Sequence, residues 1–341
     1  MINKQYLTKS IQIMLAIGIL TVIFFRIDIS KVNSLLRHTN HSYICLALLL
    51  LTCQTIVATY RWLGLLRLAG FYPSVWQCVG CFAAGTFVNT MLPGGFAGDL
   101  MRTWFTARNG VPSGIAAYIV IADRILGIIG YILLVATILL FSTIWVDKHI
   151  HGLYIITILF CISLLTGFAG LLLISPVINR LKIKLLLILS PIVGLSHIIG
   201  TIFNQPYNLL KFFSINLIVH FIQIAAVIIT AYALNIHLSP QAAFIGIPIV
   251  LLLSAIPLTP GGWGIRESNM VFVLGQFQVS TEPALVISIL FGIIFTLSNL
   301  PASTWWFLHI IRAKKLGNLY LIDQPPKECY RAVPAKSPGQ Y

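Results

Sequence analysis

The sequence predicts an all-α, polytopic integral membrane protein. Two composition values predict this fold class: 58% of the residues are hydrophobic and only 9% are charged. Apolar runs of about 20 residues, the length that crosses a bilayer as a helix, also recur along the chain. A soluble domain carries about 25% charged residues, because polar groups must cover its surface. The mean hydropathy of +0.94 therefore excludes soluble enzymes, secreted disulfide scaffolds and disordered proteins.

The apolar runs predict about seven to eight spanning helices together with one or two broken hairpins. They form a membrane domain over residues 1–311, in halves of about 1–145 and 150–311, followed by a basic tail over 312–341. The run at 115–145 exceeds one span, the run at 269–277 is too short for one, and the run at 183–203 is weakened by Pro191 and glycines. In chain order the runs are 7–25, 43–60, 75–92, 115–145, 153–174, 183–203, 212–234, 242–258, 269–277 and 284–311.

The net charge of +14 fits a membrane protein whose Lys and Arg residues hold cytoplasmic loops against anionic lipid. No polar domain carries a basic arm, so we expect no nucleic-acid partner. The positive-inside rule places both termini in the cytoplasm and predicts residence in the cytoplasmic membrane. The basic loop at 26–41 disagrees with a simple alternation of spans. Tyr60-Arg61-Trp62 is interpreted as an anchor at the membrane interface.

Two similar interruptions occur at corresponding places in the two halves. Residues 89–102 read NTMLPGGFAGDLMR and residues 256–267 read IPLTPGGWGIRE, so each has Pro-Gly-Gly, a further Gly, and then an acid and an Arg. Pro-Gly-Gly breaks a helix, and broken backbone at membrane depth must be buried in protein or line a wet cavity. Paired broken helices in two halves are typical of transporter sites. They predict two re-entrant hairpins from opposite faces, although ordinary loops between full spans remain the alternative.

Three acidic residues lie in or beside apolar sequence, and each has an arginine close by in the chain. They are Asp99, Asp123 and Glu267. A charge at the bilayer centre costs at least about 2.5–3.5 kcal/mol, so such residues usually mark a pathway. Adjacent helical residues point about 100° apart, which predicts that Asp123–Arg124 and Arg266–Glu267 pair with other elements rather than internally. Pairing of Arg102 with Asp123, or of Asp99 with Arg124, would neutralise the first half. Structural ion pairs that hold helices together are the alternative interpretation.

These motifs in combination resemble the transmembrane region of lysylphosphatidylglycerol synthases, which also occurs alone in flippase-like membrane proteins. The resemblance covers about residues 7–311 and rests on Asn89 with Leu92-Pro-Gly-Gly-x-x-Gly-Asp-x-x-Arg102, on Asp123-Arg124 with Gly127, and on Pro257-x-x-Pro-Gly-Gly-x-Gly-x-Arg-Glu267. In full-length synthases a separate soluble domain transfers lysine from tRNA to phosphatidylglycerol. Only residues 312–341 follow the last apolar run here, so the resemblance implies the translocation half without the synthase half.

We therefore expect a non-enzymatic protein that moves an anionic phospholipid or lipid-linked phosphate between leaflets through a polar cavity at mid-membrane. No cofactor, metal site or nucleotide-binding motif is expected, and the six cysteines are not expected to be catalytic. A membrane-embedded polyprenyl-phosphate transferase is one alternative. An accessory subunit of a glycosyltransferase or other envelope-biosynthesis partner is another. The predicted substrate-binding residues are Asn89, Pro93, Gly94, Gly95, Asp99, Arg102, Asp123, Arg124, Pro260, Gly261, Gly262, Arg266 and Glu267.

Overall fold

The structure is a computed structural model that describes residues 29–92, 96–142, 151–180, 200, 205–255, 259 and 262–315. Throughout these residues the regular structure is helical, and they contain no strand, which confirms the predicted all-α class. The predicted span at 7–25, almost all of that at 183–203 and the tail beyond residue 315 lie outside the described residues. So do Pro93, Gly94, Gly95, Pro260 and Gly261 of the two broken segments.

The helices are numbered here in chain order over the described residues. They are α1 (Ile29–Arg37), α2 (His41–Leu68), α3 (Val75–Met91), α4 (Ala97–Arg108), α5 (Ser113–Ser142), α6 (His151–Arg180), α7 (Pro206–Ala233), α8 (Ile247–Ser254), α9 (Ile265–Gly275) and α10 (Thr281–Lys315). A π-helical turn, Ala242–Gly246, leads directly into α8.

Four of these helices, α2, α5, α7 and α10, are long and apolar enough to cross a membrane. At 1.5 Å per residue each exceeds the hydrocarbon thickness of about 30 Å. They form a bundle in which helices far apart in the sequence pack closely together. For example, Gly64 of α2 lies against the ring of Phe212 of α7. The structure thus confirms a multi-helix membrane protein, while the total number of spans stays a prediction.

Two pairs of short helices accompany the long ones in the same order in both halves. In the first half α3 and α4, with 17 and 12 residues, precede the long α5. In the second half α8 and α9, with 8 and 11 residues, precede the long α10. Neither α4, α8 nor α9 reaches the span length of about 20 residues. Each Pro-Gly-Gly thus lies between two short helices, as the broken segments predict, and the re-entrant path of these hairpins stays a prediction.

Glycines let the helices near the first broken segment approach each other closely. A Cβ on Gly98 of α4 would overlap the carbonyl oxygen of Gly85 of α3. A Cβ on Gly130 of α5 would lie 2.9 Å from the Cβ of Asn216 and from Nε2 of His220, both on α7. Small residues at helix contacts are a common device of membrane bundles, because lipid supplies no hydrophobic force between helices. These approaches bring the polar side chains of α2, α4, α5 and α7 within bonding distance.

Candidate substrate-binding site

Asp123 of α5 is the centre of a buried group of charges, with 1% of its surface exposed. Its Oδ2 lies 2.9 Å from Nη2 of Arg102 on α4, and its Oδ1 lies 2.7 Å from Nε of Arg61 on α2. Asp123 therefore pairs with other helices and not with its neighbour Arg124, which confirms one of the two predicted cross-pairings. Two guanidinium donors are the compensation that a carboxylate needs when it leaves water.

Asp99 and Arg124 form the other predicted cross-pairing, between α4 and α5. Nε of Arg124 donates to Oδ2 of Asp99, whose Oδ1 lies 3.8 Å from Nη1 of Arg102 one helical turn away. Arg124 also lies over the ring of Phe96, at 4.9 Å from the ring centre. Both predicted pairings are thus present together. They join the start of α4 to α5 directly beside the first broken segment.

Arg61 corrects the interpretation of Tyr60-Arg61-Trp62 as an interface anchor. Arg61 is 7% exposed and Trp62 is fully buried, whereas Tyr60 is exposed. Besides Asp123, Arg61 contacts Oδ1 of Asn216 on α7 through Nη1, at 2.5 Å. The prediction failed because α2 continues past Arg61 to Leu68, so this residue lies inside the bundle rather than at its end.

The charge cluster, meaning Arg61, Asp99, Arg102, Asp123 and Arg124, holds three guanidinium groups and two carboxylates. Within this set one positive charge is in excess. Aromatic rings enclose Arg102, whose Cζ lies 4.5 Å from the ring centre of Trp62 and 4.4 Å from that of Phe82. A cation held between ring faces keeps its charge while it is shielded from water. The cluster is therefore suited to attract an anion into an otherwise apolar bundle.

A cavity of about 260 Å³ adjoins the charge cluster. All four long helices contribute to its wall, and its polar lining includes Gln54, Arg61, Thr86, Arg124, Tyr131 and His220. Gln54, Arg124 and His220 lie near the middle of α2, α5 and α7. The cavity is therefore at mid-height of these long helices, far from their ends.

His220 and Tyr131 are in ring contact within the cavity wall. Their ring centres are 3.6 Å apart, and the Tyr131 hydroxyl donates to Oε1 of Gln223. Nε2 of His220 lies 3.1 Å from the carbonyl oxygen of Gly127. Asn216 donates to the carbonyl oxygen of Leu126, so two consecutive carbonyl groups of α5 are held by α7 side chains.

Arg266 and Glu267 form a separate pair, which corrects the prediction that they pair with other elements rather than with each other. Nη2 of Arg266 lies 2.7 Å from Oε1 of Glu267. The prediction failed because Glu267 turns back at the start of α9, where its Oε2 accepts from the N–H of Gly264. Ser288 of α10 donates to Oε1 of Glu267 at 3.0 Å, and Trp263 covers Arg266. Neither charged residue lines the cavity described above.

The described residues of the broken segments have structural contacts of their own. Oδ1 of Asn89 accepts from the N–H of Gly98 at 2.7 Å, which joins the end of α3 to the start of α4. Gly262 and Gly264 have φ values of +75° and +86°, a region that favours glycine. A substrate-binding role for Asn89, Gly262, Arg266 and Glu267 stays a prediction.

Sequence reasoning missed Arg61, Gln54, Asn216 and His220 as members of the site. Their spacing carried a signal, since Gln54 and Arg61 are seven residues apart and Asn216 and His220 are four apart. Both spacings place side chains on one face of a helix, and a polar face on an apolar helix must meet a partner or a cavity. No group of three potential metal ligands occurs within the part of the chain that the structure describes.

Comparison with known proteins agrees with this architecture. The family model of the lysylphosphatidylglycerol synthase TM region matches residues 10–301. The chain is also similar to a UPF0104 membrane protein of Methanocaldococcus jannaschii, with 21% identity over 309 residues, 84% of this chain and 90% of that protein. The family match covers most of the chain and indicates a membrane lipid-related role. The chain belongs to the family of the lysylphosphatidylglycerol synthase TM region.

Proposed function

We propose that this protein moves an anionic lipid or a lipid-linked phosphate between the leaflets of the cytoplasmic membrane. The observation that carries the proposal is the position of the charge cluster, which adjoins a cavity at mid-height of the four long helices. Ion pairs that only hold helices together need no adjoining cavity and no excess of one sign. Here the excess is positive, and Arg61 and Arg124 line the cavity wall.

The chemistry of arginine supports a phosphate as the bound group. The guanidinium fork donates parallel hydrogen bonds that match phosphate oxygens, and the charge remains at every physiological pH. The carboxylates of Asp99 and Asp123 lower the net charge of the cluster. A lipid phosphate would therefore be attracted without being held permanently. Such a balance between attraction and release is what passage through a membrane site requires.

The cavity volume supports entry of the headgroup alone. Pockets for whole small molecules measure about 300–1,000 Å³, and this cavity of about 260 Å³ lies just below that range. Acyl or isoprenoid chains are apolar and lose nothing by remaining in lipid. The headgroup would pass between the helices while its chains stay outside the bundle, and the protein itself would form or break no covalent bond.

A vesicle assay tests the proposal. The purified chain is reconstituted with phosphatidylglycerol that carries a fluorophore on an acyl chain, and a membrane-impermeant quencher reports the rate at which lipid reaches the outer leaflet. We expect the wild-type protein to accelerate this exchange over protein-free vesicles. Arg124→Gln should slow it by about tenfold or more, since a charged hydrogen bond to phosphate is lost.

The matched control for Arg124→Gln is Arg108→Gln. Arg108 also lies over an aromatic ring, that of Trp104, but it is exposed and belongs to α4. This substitution removes the same charge without touching the cavity and should leave the exchange rate unchanged. Exchange no faster than in protein-free vesicles would refute the proposal. Wild-type speed in a folded Arg124→Gln protein would remove the arginine from the pathway.

The proposed orientation has both termini in the cytoplasm and the two hairpins entering from opposite faces. Cysteines introduced one at a time at Asn109 and at Thr281 report it, since these residues lie just after α4 and at the start of α10. An impermeant thiol reagent should reach position 109 only from the cytoplasmic side and position 281 only from outside. Labelling of both positions from one side would contradict the inverted arrangement.

A further inference from the structure

The two carboxylates of the charge cluster are held in different ways. Both oxygens of Asp123 lie within hydrogen-bond distance of a guanidinium nitrogen, at 2.7 and 2.9 Å, and only 2% of its side chain is exposed. In Asp99, Oδ2 accepts from Nε of Arg124, whereas Oδ1 lies 3.8 Å from Nη1 of Arg102, too far for a hydrogen bond. The Asp99 side chain is also more exposed, at 13%. Of the two carboxylates, Asp99 is therefore the one whose pairing costs less to break.

The arginines of the cluster differ in the same way. Side-chain exposure is 8% for Arg61 and 6% for Arg102, but 28% for Arg124. Aromatic rings enclose Arg102, and two of the three guanidinium nitrogens of Arg61 are bonded to other helices. Arg124 lines the cavity and is the most exposed of the three. The guanidinium that is most accessible to an anion in the cavity is thus the one that Asp99 already holds.

Packing fixes the backbone next to Asp99. The N–H of Gly98, the preceding residue, donates to Oδ1 of Asn89, and a Cβ on Gly98 would overlap the backbone of Gly85. The carboxylate of Asp99 therefore extends from a fixed helix start by one short side chain. Arg124 reaches it from α5 with a long side chain that has many rotamers. Opening of this ion pair would move the guanidinium of Arg124 rather than the carboxylate.

A carboxylate and a phosphate bind a guanidinium through the same pair of parallel hydrogen bonds. An anion in the cavity therefore competes with Asp99 for Arg124. With a phosphate diester bound, three guanidinium charges are balanced by two carboxylates and one phosphate, so the occupied cluster is neutral. When the phosphate leaves, the carboxylate of Asp99 pairs with Arg124 again, and release does not leave an unpaired guanidinium inside the bundle.

We propose that Asp99 is an internal competitor for the substrate anion. Its carboxylate pairs with Arg124 in the empty site, gives way to the lipid phosphate, and promotes release by pairing with Arg124 again. Asp123 stays paired with Arg61 and Arg102 throughout. This inference rests on the proposed function, because it describes how binding and release are regulated at the same site.

Removal of the competing carboxylate should tighten binding and slow turnover at the same time. Exchange of acyl-labelled phosphatidylglycerol is measured in phosphatidylcholine vesicles at rising mole fractions of the labelled lipid, which gives a half-saturating fraction and a maximal rate. Asp99→Asn should lower both by about fivefold or more, because a charged competitor for Arg124 is lost and the phosphate leaves more slowly. A purely structural role predicts the opposite change in affinity, since a loosened site would raise the half-saturating fraction.

Two further substitutions serve as controls. Asp99→Glu keeps a carboxylate at this position and should retain most of the maximal rate. Glu282→Gln removes an acid from the first turn of another helix, α10, and Glu282 is not part of the cavity wall, so both quantities should stay at the wild-type values. Asp99→Ser provides a second route if Asp99→Asn does not fold, and it should give the same two changes.

The two measured quantities decide the inference. A half-saturating fraction that is unchanged or raised in a folded Asp99→Asn protein would overturn the competition for Arg124. A lowered half-saturating fraction with an unchanged maximal rate would overturn the role of Asp99 in release.

A binding measurement separates failure of this inference from failure of the proposed function. The full chain in phosphatidylcholine nanodiscs with a small proportion of phosphatidylglycerol is analysed by native mass spectrometry. Asp99→Asn should retain more phosphatidylglycerol than the wild type, and Arg124→Gln should retain less. That result without exchange in any vesicle would refute transport and leave the competition standing. Exchange by the wild type together with equal retention by wild type and Asp99→Asn would overturn the competition and leave lipid movement intact.

Discussion

The charge cluster of the first half and the Arg266–Glu267 pair of the second half bury ionised side chains in two different ways. The cluster draws its five residues from α2, α4 and α5, and two of its arginines line a cavity. The pair consists of neighbours in sequence at the start of α9, and Ser288 and Trp263 complete its surroundings. Similar motifs therefore have different environments in the two halves.

The difference teaches that a buried ion pair is not in itself a functional site. A pair with matched charges and full hydrogen bonding satisfies itself and can be replaced by neutral side chains at little cost in stability. A cluster with excess charge beside a cavity remains able to interact with a third group. On this comparison we propose that the charge cluster contributes more to substrate binding than Arg266 and Glu267 do, and the double variants described next test the substrate-binding role predicted for both groups.

The largest expected difference is in the lipid exchange rate when an ion pair is neutralised in the charge cluster and when the Arg266–Glu267 pair is neutralised. Arg61→Gln with Asp123→Asn should slow lipid exchange by about tenfold or more, because a guanidinium that faces the cavity is lost. Arg266→Gln with Glu267→Gln should keep the rate within about threefold of wild type, since both side chains can still hydrogen-bond. Vesicle exchange rates, compared at equal amounts of folded protein, measure both effects. Comparable loss in the two double variants would break the distinction between the groups.

Alanine substitutions at two glycines test how tightly the backbone packs beside the charge cluster and beside the Arg266–Glu267 pair. Gly98→Ala should destabilise the protein by about 3 kcal/mol or more, because the new Cβ would overlap the backbone of Gly85 and separate α4 from α3. Gly292→Ala should cost only about 1–2 kcal/mol, since its Cβ would meet the flexible end of Arg266. Thermal unfolding followed by size-exclusion chromatography ranks the stabilities of the two variants. A Gly292→Ala protein less stable than Gly98→Ala would show that the second pair is the more rigid.

A smaller effect is expected where α5 meets α7. Gly130→Ala should destabilise by about 1–2 kcal/mol, because its Cβ would press on Asn216 and displace the His220 ring. Gly152→Ala in α6 meets nothing within 4 Å and should be neutral or stabilising by up to about 1 kcal/mol, the helix propensity of alanine. The same unfolding assay compares them. Equal stability of the two variants would indicate that α5 and α7 can move apart without a loss of stability.

Much of the fold and part of the site follow from the sequence. Hydrophobic runs predict α2, α5, α7 and α10, and the scarcity of acids leaves few possible partners, so the Asp99–Arg124 and Arg102–Asp123 pairings are predictable. The role of Arg61 was missed because an arginine at the end of an apolar run is typical of an interface anchor, although its seven-residue spacing from Gln54 carried a signal. The internal Arg266–Glu267 pair depends on the turn at Gly264, which spacing rules for a regular helix do not describe.

The sequence by itself determined that this chain spans a membrane and that its few intramembrane charges must compensate one another, because the bilayer makes an unpaired charge or backbone group costly at any position. Only the tertiary structure decided which charges share a cavity. That outcome depends on contacts between distant helices, where Gly85, Gly98 and Gly130 set the separation and a missing methyl group at each of these points lets the polar faces meet.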